Sequence, residues 1–274
     1  MDEITTALVE LVGSADYQQL ILVGRLAINL KRQDLVQSGQ QTLIPDPPLE
    51  RATGDLDLFL RLELFTNPAA GQVVRRAIDS LGYKVRQEKW QFESNLPTSR
   101  TPYSLDLLAC PSPKSQVKSD NLRVGIGSGA DLHGRTTIEG FAVETSPNTL
   151  VLSGGVNVTV ASSYALLNMK LRASYDWLRY TNNARNWPTN QKPPSPKHLF
   201  DALCLVCMLT EGEMDKCKGF ATHFQDLEVA QAIRNEASEL FGQPNLVGWT
   251  AAVGQGIPDE HDLIYSTLQQ CLGE

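Results

Sequence analysis

The stretch Arg51–Leu60 constrains the fold of this chain most, because it places two aspartates two positions apart at the start of an apolar run. Successive side chains of a β-strand point to opposite faces of the sheet, so Asp55 and Asp57 should share one face. Leucines at positions 56, 58 and 60 would then fill the other face. The pattern predicts a strand with one buried face and a pair of carboxylates that could hold one cation together.

The same pattern has an ordinary interpretation, in which the strand simply begins with solvated acids. Asp-x-Asp is short, and short motifs match by chance in many proteins. Hard oxygen ligands at this spacing suit Mg²⁺, which proteins hold through one or two carboxylates while substrate phosphates and water complete its shell. The interpretation as a metal site for phosphoryl transfer therefore depends on the surrounding residues.

Two other segments supply groups that such a site needs. Leu20–Val23 is an apolar run that ends at Gly24, and the residues that follow have helical spacing. A strand, a glycine turn and a helix N-terminus present backbone N–H groups to which a phosphate can bind. Asp106 lies inside the apolar run Tyr103–Ala109, where an unpaired charge would be costly. Asp106 is therefore the natural third carboxylate.

The order of these elements resembles the nucleotidyltransferase superfamily that includes DNA polymerase β, and most closely the abortive-infection nucleotidyltransferase toxins of the AbiEii type. The residues that carry the resemblance are Gly24 after the first strand, Arg51-x-Thr53-x-Asp55-x-Asp57, Asp106, the helix Leu167–Ala173 and the helix start Lys197–Leu203. The resemblance covers about residues 18 to 210.

This resemblance implies an α/β (α+β) fold, with a nucleotidyltransferase-like mixed sheet core in residues 1–160 and a C-terminal helical domain in 161–274. It implies transfer of a nucleoside monophosphate from an NTP to an acceptor hydroxyl, with Mg²⁺ held by the catalytic residues Asp55, Asp57 and Asp106. The implied nucleotide-binding residues are Gly24, Arg25, Thr53, Lys170, Lys197 and Asp201. The implied partners are a tRNA or another RNA end, or a protein hydroxyl, together with a cognate antitoxin.

One departure from the family opens an alternative. The family usually has a second small residue after the first glycine, whereas this chain has Gly24-Arg25. Arg25 would either crowd the phosphate pocket or bind the triphosphate through its guanidinium. Crowding favours a catalytically inactive nucleotide-binding or regulatory protein on the same fold. Lys170 could instead be a surface lysine, and Lys197 and Asp201 could be an i,i+4 ion pair.

Charge is uneven along the chain. The formal net charge is −7, which is unusual for a nucleic-acid-binding protein because phosphate contacts supply much of that affinity. Residues 161–197, however, contain six basic residues and one acid, interleaved with tyrosines and tryptophans. The segment could bind RNA through phosphates and stacked bases, or it could be an amphipathic helix with a solvated basic face.

The remaining patterns indicate a soluble, cytoplasmic protein, because the N-terminus lacks a signal peptide and no apolar run is long enough to cross a membrane. Cys204 and Cys207 lie in an apolar helix and are expected to be buried as small hydrophobic residues rather than to bind metal. Further strands are predicted at Lys84–Glu93, Leu122–Ile126, Thr136–Val143 and Val156–Val160. Helices are predicted at Asp2–Val12, Pro68–Leu81, Ser162–Tyr180, Lys197–Thr210, Leu227–Phe241 and Asp259–Leu272.

Overall fold

The computed structural model divides the chain into two compact units, and each is described by itself. The first unit comprises residues 1–34 and 51–162, and the second comprises residues 35–50 and 163–274. The residues that the structure describes are 2–15, 17–49, 51–86, 90–94, 103–111, 123–126, 131–145, 147–152, 154–186, 194–217, 227–252 and 255–272. Residues 35–50 belong with the C-terminal helices, an assignment that the sequence pattern did not include.

In its described residues, the first unit is built on a mixed nine-stranded sheet. Its strands are β1 (Leu20–Val23), β2 (Asp55–Leu60), β3 (Tyr83–Val85), β4 (Gln91–Ser94), β5 (Ser104–Ala109), β6 (Arg123–Ile126), β7 (Leu132–Thr136), β8 (Asn148–Val151) and β9 (Asn157–Val160). The main path across the sheet is β3-β4-β5-β2-β1-β9-β8, while β7 pairs with β5 and β6. Strands β2 and β5 are parallel, whereas β1 and β4 run antiparallel to their central neighbours.

The two central strands have the same burial pattern. In β2 and in β5 the first and third residues are half-buried, and the other four are buried. The buried leucines and Phe59 fill the apolar face and the far end of each strand. All four residues of β1 are buried as well. The polar residues of β2 and β5 therefore share one face near the start of both strands.

Five described helices begin in the first unit. They are α1 (Glu3–Ser14), α2 (Gly24–Ser38), α3 (Glu63–Thr66), α4 (Pro68–Ser80) and α5 (Gly140–Thr145). Side-chain caps define two of the starts, because Asp2 accepts from the Thr5 N–H at 2.9 Å and Asn67 accepts from the Ala70 N–H at 3.1 Å. Pro68 occupies the first turn of α4, where its missing N–H costs nothing.

The predicted strand Thr136–Val143 is wrong, because β7 ends at Thr136 and α5 follows. A turn separates them, with the Gly140 N–H donating to the Thr137 carbonyl at 3.0 Å. Tertiary packing overrides the β-branched composition here. A Cβ at Gly140 would lie 2.8 Å from the Phe59 ring, so only glycine allows the helix to pack this closely. The predicted strand Lys84–Glu93 is likewise two strands, β3 and β4, that pair as antiparallel neighbours.

Glu144 ties α5 to the end of β2. Its carboxylate accepts from the Leu62 N–H at 2.7 Å and lies 3.4 Å from Arg61 Nε. Burial raises the pKa of the Glu144 carboxyl, while the Leu62 N–H and the Arg61 charge oppose that rise. A carboxylate in this position fixes α5 by charge-assisted hydrogen bonding.

The regular secondary structure described in the second unit is helical. Its helices are α6 (Ser163–Asn182), α7 (Lys197–Cys207), α8 (Glu211–Cys217), α9 (Leu227–Phe241), α10 (Val247–Ala252) and α11 (His261–Cys271). Helix α6 packs against α7 and α9, and every residue of α7 from Leu199 onward is buried. The predicted fold class, a mixed sheet core with a C-terminal helical region, is confirmed. Helices α8 and α10 were not predicted from the sequence.

The cysteines are part of this packing. All five are free and buried, which confirms the predicted burial of Cys204 and Cys207. In the part of the chain that the structure describes, no helix combines the length and the apolar character that a membrane span requires.

Candidate active site

Three of the predicted acids lie on one face of the central sheet. The parallel register of β2 and β5 pairs Asp57 with Asp106 and Asp55 with Ser104. Paired residues of adjacent strands point to the same side and lie about 4.8 Å apart along the hydrogen-bonding direction. All four residues are half-buried, whereas the leucines between them are buried. Asp106 therefore lies beside Asp57.

Gly24 closes this face on the side of β1. Val23 is the register partner of Asp57, and Gly24 follows with φ +72° as α2 begins. A Cβ at Gly24 would lie 2.0 Å from Asp57 Oδ2. Only glycine tolerates both that approach and the left-handed backbone. The first turn of α2, whose N–H groups lack intrahelical acceptors, thus starts directly against the Asp57 carboxylate.

Arg25 makes a contact that is neither crowding of the phosphate pocket nor binding of a triphosphate. Its guanidinium is buried, and Nε donates a long hydrogen bond of 3.4 Å to the Arg51 carbonyl. Asn29, one helical turn later, donates to the same carbonyl at 3.0 Å. Two side chains of α2 therefore hold the segment that leads into Asp55. Asn29 was not found from the sequence, although its i,i+4 spacing from Arg25 placed both on one helix face.

Two hydrogen bonds to Asp55 fix the start of β2. The Asp55 N–H donates to Thr53 Oγ1 at 3.2 Å, an arrangement typical of Ser and Thr near strand and turn boundaries. Ser104 Oγ donates to Asp55 Oδ1 at 2.7 Å. Ser104 was missed in the sequence, and the available signal was its position two residues before Asp106 on the same strand face. Thr53 therefore orients the backbone at Asp55, and Ser104 orients the Asp55 carboxylate.

Asp106 has polar neighbours on the side away from Asp57. Gln91 of β4 is its register partner, and Gln91 Nε2 lies 3.4 Å from Asp106 Oδ2. Burial raises the pKa of the Asp106 carboxyl, and the nearby Asp55 charge adds to that rise. The Gln91 hydrogen bond and the charges of Arg135 and Arg86 lower the same pKa. Burial therefore outweighs the hydrogen bond and the nearby positive charges in setting the pKa of the Asp106 carboxyl.

A cation and an aromatic ring meet next to this acid. Trp90 directly precedes β4, and Arg135 lies on β7. The Arg135 Cζ atom is 5.3 Å from the centroid of the Trp90 ring, a distance at which cation–π attraction operates. Neither residue stood out in the sequence, because they are far apart along the chain and only the pairing of β5 with both β4 and β7 brings them together.

The chemistry of the acid pair fits Mg²⁺. Among the described residues, no three His, Cys, Asp or Glu side chains are grouped closely enough to hold a metal ion. The three-carboxylate set of Asp55, Asp57 and Asp106 therefore stays a prediction. Two carboxylates from adjacent strands, Asp57 and Asp106, nevertheless offer the hard oxygens that Mg²⁺ prefers, because substrate phosphates and water commonly supply the rest of its shell.

The remaining predicted residues lie in the second unit. Lys170 Nζ of α6 is 2.8 Å from Asp201 Oδ2 of α7, and both side chains are buried. Lys197 is the first residue of α7 and is half-buried. Lys170 is therefore not a surface lysine. Removing one partner of a buried ion pair is expected to be strongly destabilising, because it leaves an uncompensated charge.

Solved structures include one that the chain resembles in fold. No family model matches the chain, and no curated protein sequence matches it. The chain is similar to the solution structure of the antibiotic-resistance factor ANT(2'')-Ia, with 15% sequence identity and a TM-score of 0.43 over 87% of this chain and 97% of that chain. At these values the likeness identifies neither a family nor a substrate, so the functional conclusion rests on the site residues.

Proposed function

We propose that the protein is a Mg²⁺-dependent nucleotidyltransferase that moves a nucleoside monophosphate from an NTP to an acceptor hydroxyl. The observation that carries the proposal is the cross-strand pair Asp57–Asp106 beside the start of α2 at Gly24. Carboxylates suit a divalent cation, and a helix N-terminus suits the phosphates that the cation accompanies.

The nucleotide side of the site is assigned to β2 and the first turn of α2. Asp57 and Asp55 would hold one Mg²⁺ ion, and a second ion would be shared with Asp106. The backbone N–H groups after Gly24 would bind phosphate oxygens. Bound Mg²⁺ would neutralise charge on the attacking and leaving oxygens of the transfer. The hydrogen bonds of Arg25 and Asn29 to the Arg51 carbonyl would keep the two aspartates in register with that helix start.

The acceptor side is assigned to Asp106. The acceptor oxygen forms a bond to the α-phosphorus while the bond from that phosphorus to the bridging oxygen breaks. Pyrophosphate leaves, and the hydroxyl proton passes to the Asp106 carboxylate. The register pairing of Asp106 with Asp57, on the face where α2 begins at Gly24, supports this role.

The second unit contributes to nucleotide binding in this proposal. Resemblance to the AbiEii-type toxins supports Lys170 as a nucleotide contact, with Lys197 and Asp201 in the same set. The Asp201 carboxylate lies 2.8 Å from the Lys170 ammonium and would set its direction. The same resemblance supports an RNA end such as tRNA as acceptor, a toxin-like role and a cognate antitoxin as partner.

The test is a transfer assay with matched variants. The protein is incubated with each labelled NTP, Mg²⁺ and total RNA, and labelled RNA, protein and small molecules are then separated. Asp57→Asn and Asp106→Asn should both abolish most transfer at maintained folding, and Asp106→Asn should retain more Mg-NTP binding because its role is in the transition state. Asp79→Asn is the control, because Asp79 is half-exposed on α4 and pairs with Arg75.

One outcome would replace this proposal by its alternative. If wild type labels no acceptor, yet binds NTP as well as both site variants do, the protein is an inactive nucleotide-binding or regulatory member of the fold. Equal transfer by wild type and Asp57→Asn would exclude the acid pair as the catalytic centre.

A further inference from the structure

We infer that Ser104 makes this site selective for Mg²⁺ over Ca²⁺, because its hydroxyl restricts the Asp55 carboxylate to binding a cation through one oxygen. The inference rests on the proposed function, since it concerns the cation that the transfer reaction requires. Ser104 acts through Asp55 and is therefore a positioning residue. It lies in the first unit, outside the set of site residues that the sequence pattern predicts.

The register of β2 and β5 determines which residue lies beside Asp55. Asp55 is paired with Ser104, and Asp57 is paired with Asp106. All four side chains are half-buried on one face of the sheet. Ser104 is therefore the one member of this group that brings a hydrogen-bond donor instead of a negative charge.

The contact between Ser104 and Asp55 is well formed. Ser104 Oγ donates to Asp55 Oδ1 at 2.7 Å, a usual distance for a hydroxyl that donates to a charged oxygen. The main chain is fixed at the same place, because the Ser104 N–H donates to the Gly54 carbonyl at 3.1 Å and the Asp55 N–H donates to Thr53 Oγ1 at 3.2 Å. The carboxylate and its backbone are thus both held before a cation binds, as a precise metal site requires.

The hydrogen bond affects the two cations differently. The Asp55 Oδ1 atom is a poorer metal ligand when the Ser104 hydrogen lies against it and compensates part of its charge. Ca²⁺ takes roughly six to eight oxygens in flexible geometry and often binds both oxygens of one carboxylate. Mg²⁺ requires a near-ideal octahedron and keeps several of its waters. Restricting Asp55 to one oxygen therefore removes a ligand that Ca²⁺ would use and that Mg²⁺ does not need.

Asp106 has a weaker contact of the same kind. Gln91 Nε2 donates to Asp106 Oδ2 at 3.4 Å, whereas the bond from Ser104 to Asp55 measures 2.7 Å. Hydrogen bonds weaken as they lengthen, so Gln91 constrains its carboxylate less than Ser104 does. The two contacts therefore predict a graded effect, which is larger when the Ser104 hydroxyl is removed than when the Gln91 amide is removed.

The experiment measures metal binding without turnover, by competition with Mn²⁺, whose free form gives an electron paramagnetic resonance signal. Mg²⁺ or Ca²⁺ is added to the full chain loaded with Mn²⁺, and the ratio of the two displacement constants gives the selectivity. Ser104→Ala should weaken Mg²⁺ binding roughly tenfold, as is typical when a group that orients a metal ligand is lost. Ca²⁺ binding should stay unchanged or tighten, so the preference for Mg²⁺ should fall by at least that factor.

Three variants serve as comparisons. Ser104→Thr keeps a hydroxyl and should keep the wild-type selectivity, whereas Gln91→Ala should lower it less than Ser104→Ala does. Ser94→Ala is the matched control, because Ser94 is a buried serine of β4 in the same sheet. Its side-chain oxygen has no hydrogen-bond partner within the described part of the chain. A fall in selectivity of the same size in Ser94→Ala would attribute the effect to sheet packing and overturn the assignment.

Transfer gives a second readout. Ser104→Ala should raise the Mg²⁺ concentration needed for half-maximal transfer and should make transfer more sensitive to inhibition by Ca²⁺. The value of kcat at saturating Mg²⁺ should change less than either. Wild-type behaviour of Ser104→Thr in the same assay would support the hydroxyl as the cause.

The outcomes separate this inference from the proposed function. Equal weakening of Mg²⁺ and Ca²⁺ binding in Ser104→Ala would reject the selectivity role. Unchanged selectivity in that variant, with Mn²⁺ binding lost in Asp57→Asn, would also reject it and would keep the transferase site. Mn²⁺ binding that neither Asp55→Asn nor Asp57→Asn weakens would instead reject the metal site itself, on which the proposed function depends.

Discussion

Gly24 and Asp57 are in such close contact that the Asp57 Oδ2 atom lies 2.0 Å from the point that a Cβ would occupy at Gly24. The backbone of Gly24 is also left-handed, with φ +72°. Two separate constraints therefore require glycine, one from backbone conformation and one from the proximity of a carboxylate. The second constraint links the start of α2 directly to the site.

Gly24→Ala should separate these constraints when it is compared with Gly39→Ala. Gly39 has nearly the same φ, +67°, but no neighbouring heavy atom lies within 4 Å of an added Cβ. Gly39→Ala should cost roughly 1–2 kcal/mol for its left-handed backbone. Gly24→Ala should cost roughly 1–3 kcal/mol more, because the methyl group displaces Asp57. Denaturant unfolding measures both values, and equal costs would show that Asp57 moves aside freely.

Arg25→Ser tests whether Arg25 holds the segment before β2. Loss of a buried guanidinium that donates to the Arg51 carbonyl should lower the free energy of unfolding by roughly 1–3 kcal/mol. Arg76→Ser on the exposed side of α4 should change it by less than about 0.5 kcal/mol. Thermal and urea unfolding give the comparison. A variant that folds like wild type but binds Mg-NTP more tightly would instead support the crowded-pocket interpretation.

Lys170→Met should destabilise the second unit through its partner. The Asp201 carboxylate is 0% exposed and would lose its ammonium, which typically costs about 3–5 kcal/mol. The double variant Lys170→Met with Asp201→Leu should recover most of that loss, since the buried carboxylate is then gone as well. Unfolding free energies of the single and double variants form the test. Full stability of the single variant would mean that water or another group compensates the Asp201 charge.

Glu144→Gln should change the pH dependence of stability. Folding raises the pKa of Glu144 above its ordinary value of 4.5, mainly by burial. The contribution of Glu144 to the free energy of unfolding is therefore fully present below its ordinary pKa. It is lost as the pH rises through the raised pKa of the folded protein. Glutamine does not titrate, so the free energy of unfolding of the variant should increase relative to wild type as the pH rises between these two pKa values. At higher pH the difference should stay constant. Measurements without Mg²⁺ avoid any effect of metal binding.

Glu63→Gln provides the control for the pH series. Glu63 is 63% exposed and lies 3.7 Å from the same Arg61 guanidinium. Its variant should stay within about 0.5 kcal/mol of wild type. A pH trend of the same size in both variants would attribute the effect to Arg61 rather than to burial of Glu144.

The sequence predicted the parts of the site that depend on local pattern. The alternation of acids and leucines located β2, and the run that contains Asp106 located β5. Register is a property of two strands at once, so the partners Ser104 and Gln91 became visible only when β2, β4 and β5 were aligned. Trp90 and Arg135 required a third pairing, between β5 and β7.

Contacts between helices were also hidden from the sequence, because each depends on two separate elements. The Asp201 carboxylate binds Lys170, which is 31 residues away along the chain. Local spacing on one helix cannot encode this contact between two helices. Likewise, Thr136–Val143 has the composition of a strand, but packing against Phe59 and the hydrogen bond from Leu62 to Glu144 select a turn and α5. Composition could not reveal either contact.

The strict alternation in β2 also limits how this chain can change in length. Asp55 and Asp57 share their strand with Leu56 and Leu58, which point the other way. Inserting or deleting a single residue between Gly54 and Asp57 would exchange the two sets, because a one-residue slip turns every side chain to the opposite face. The acids would enter the core and a leucine would take their place. Only an even change in length between Gly54 and Asp57 would keep the acids and the leucines on their own faces of the sheet.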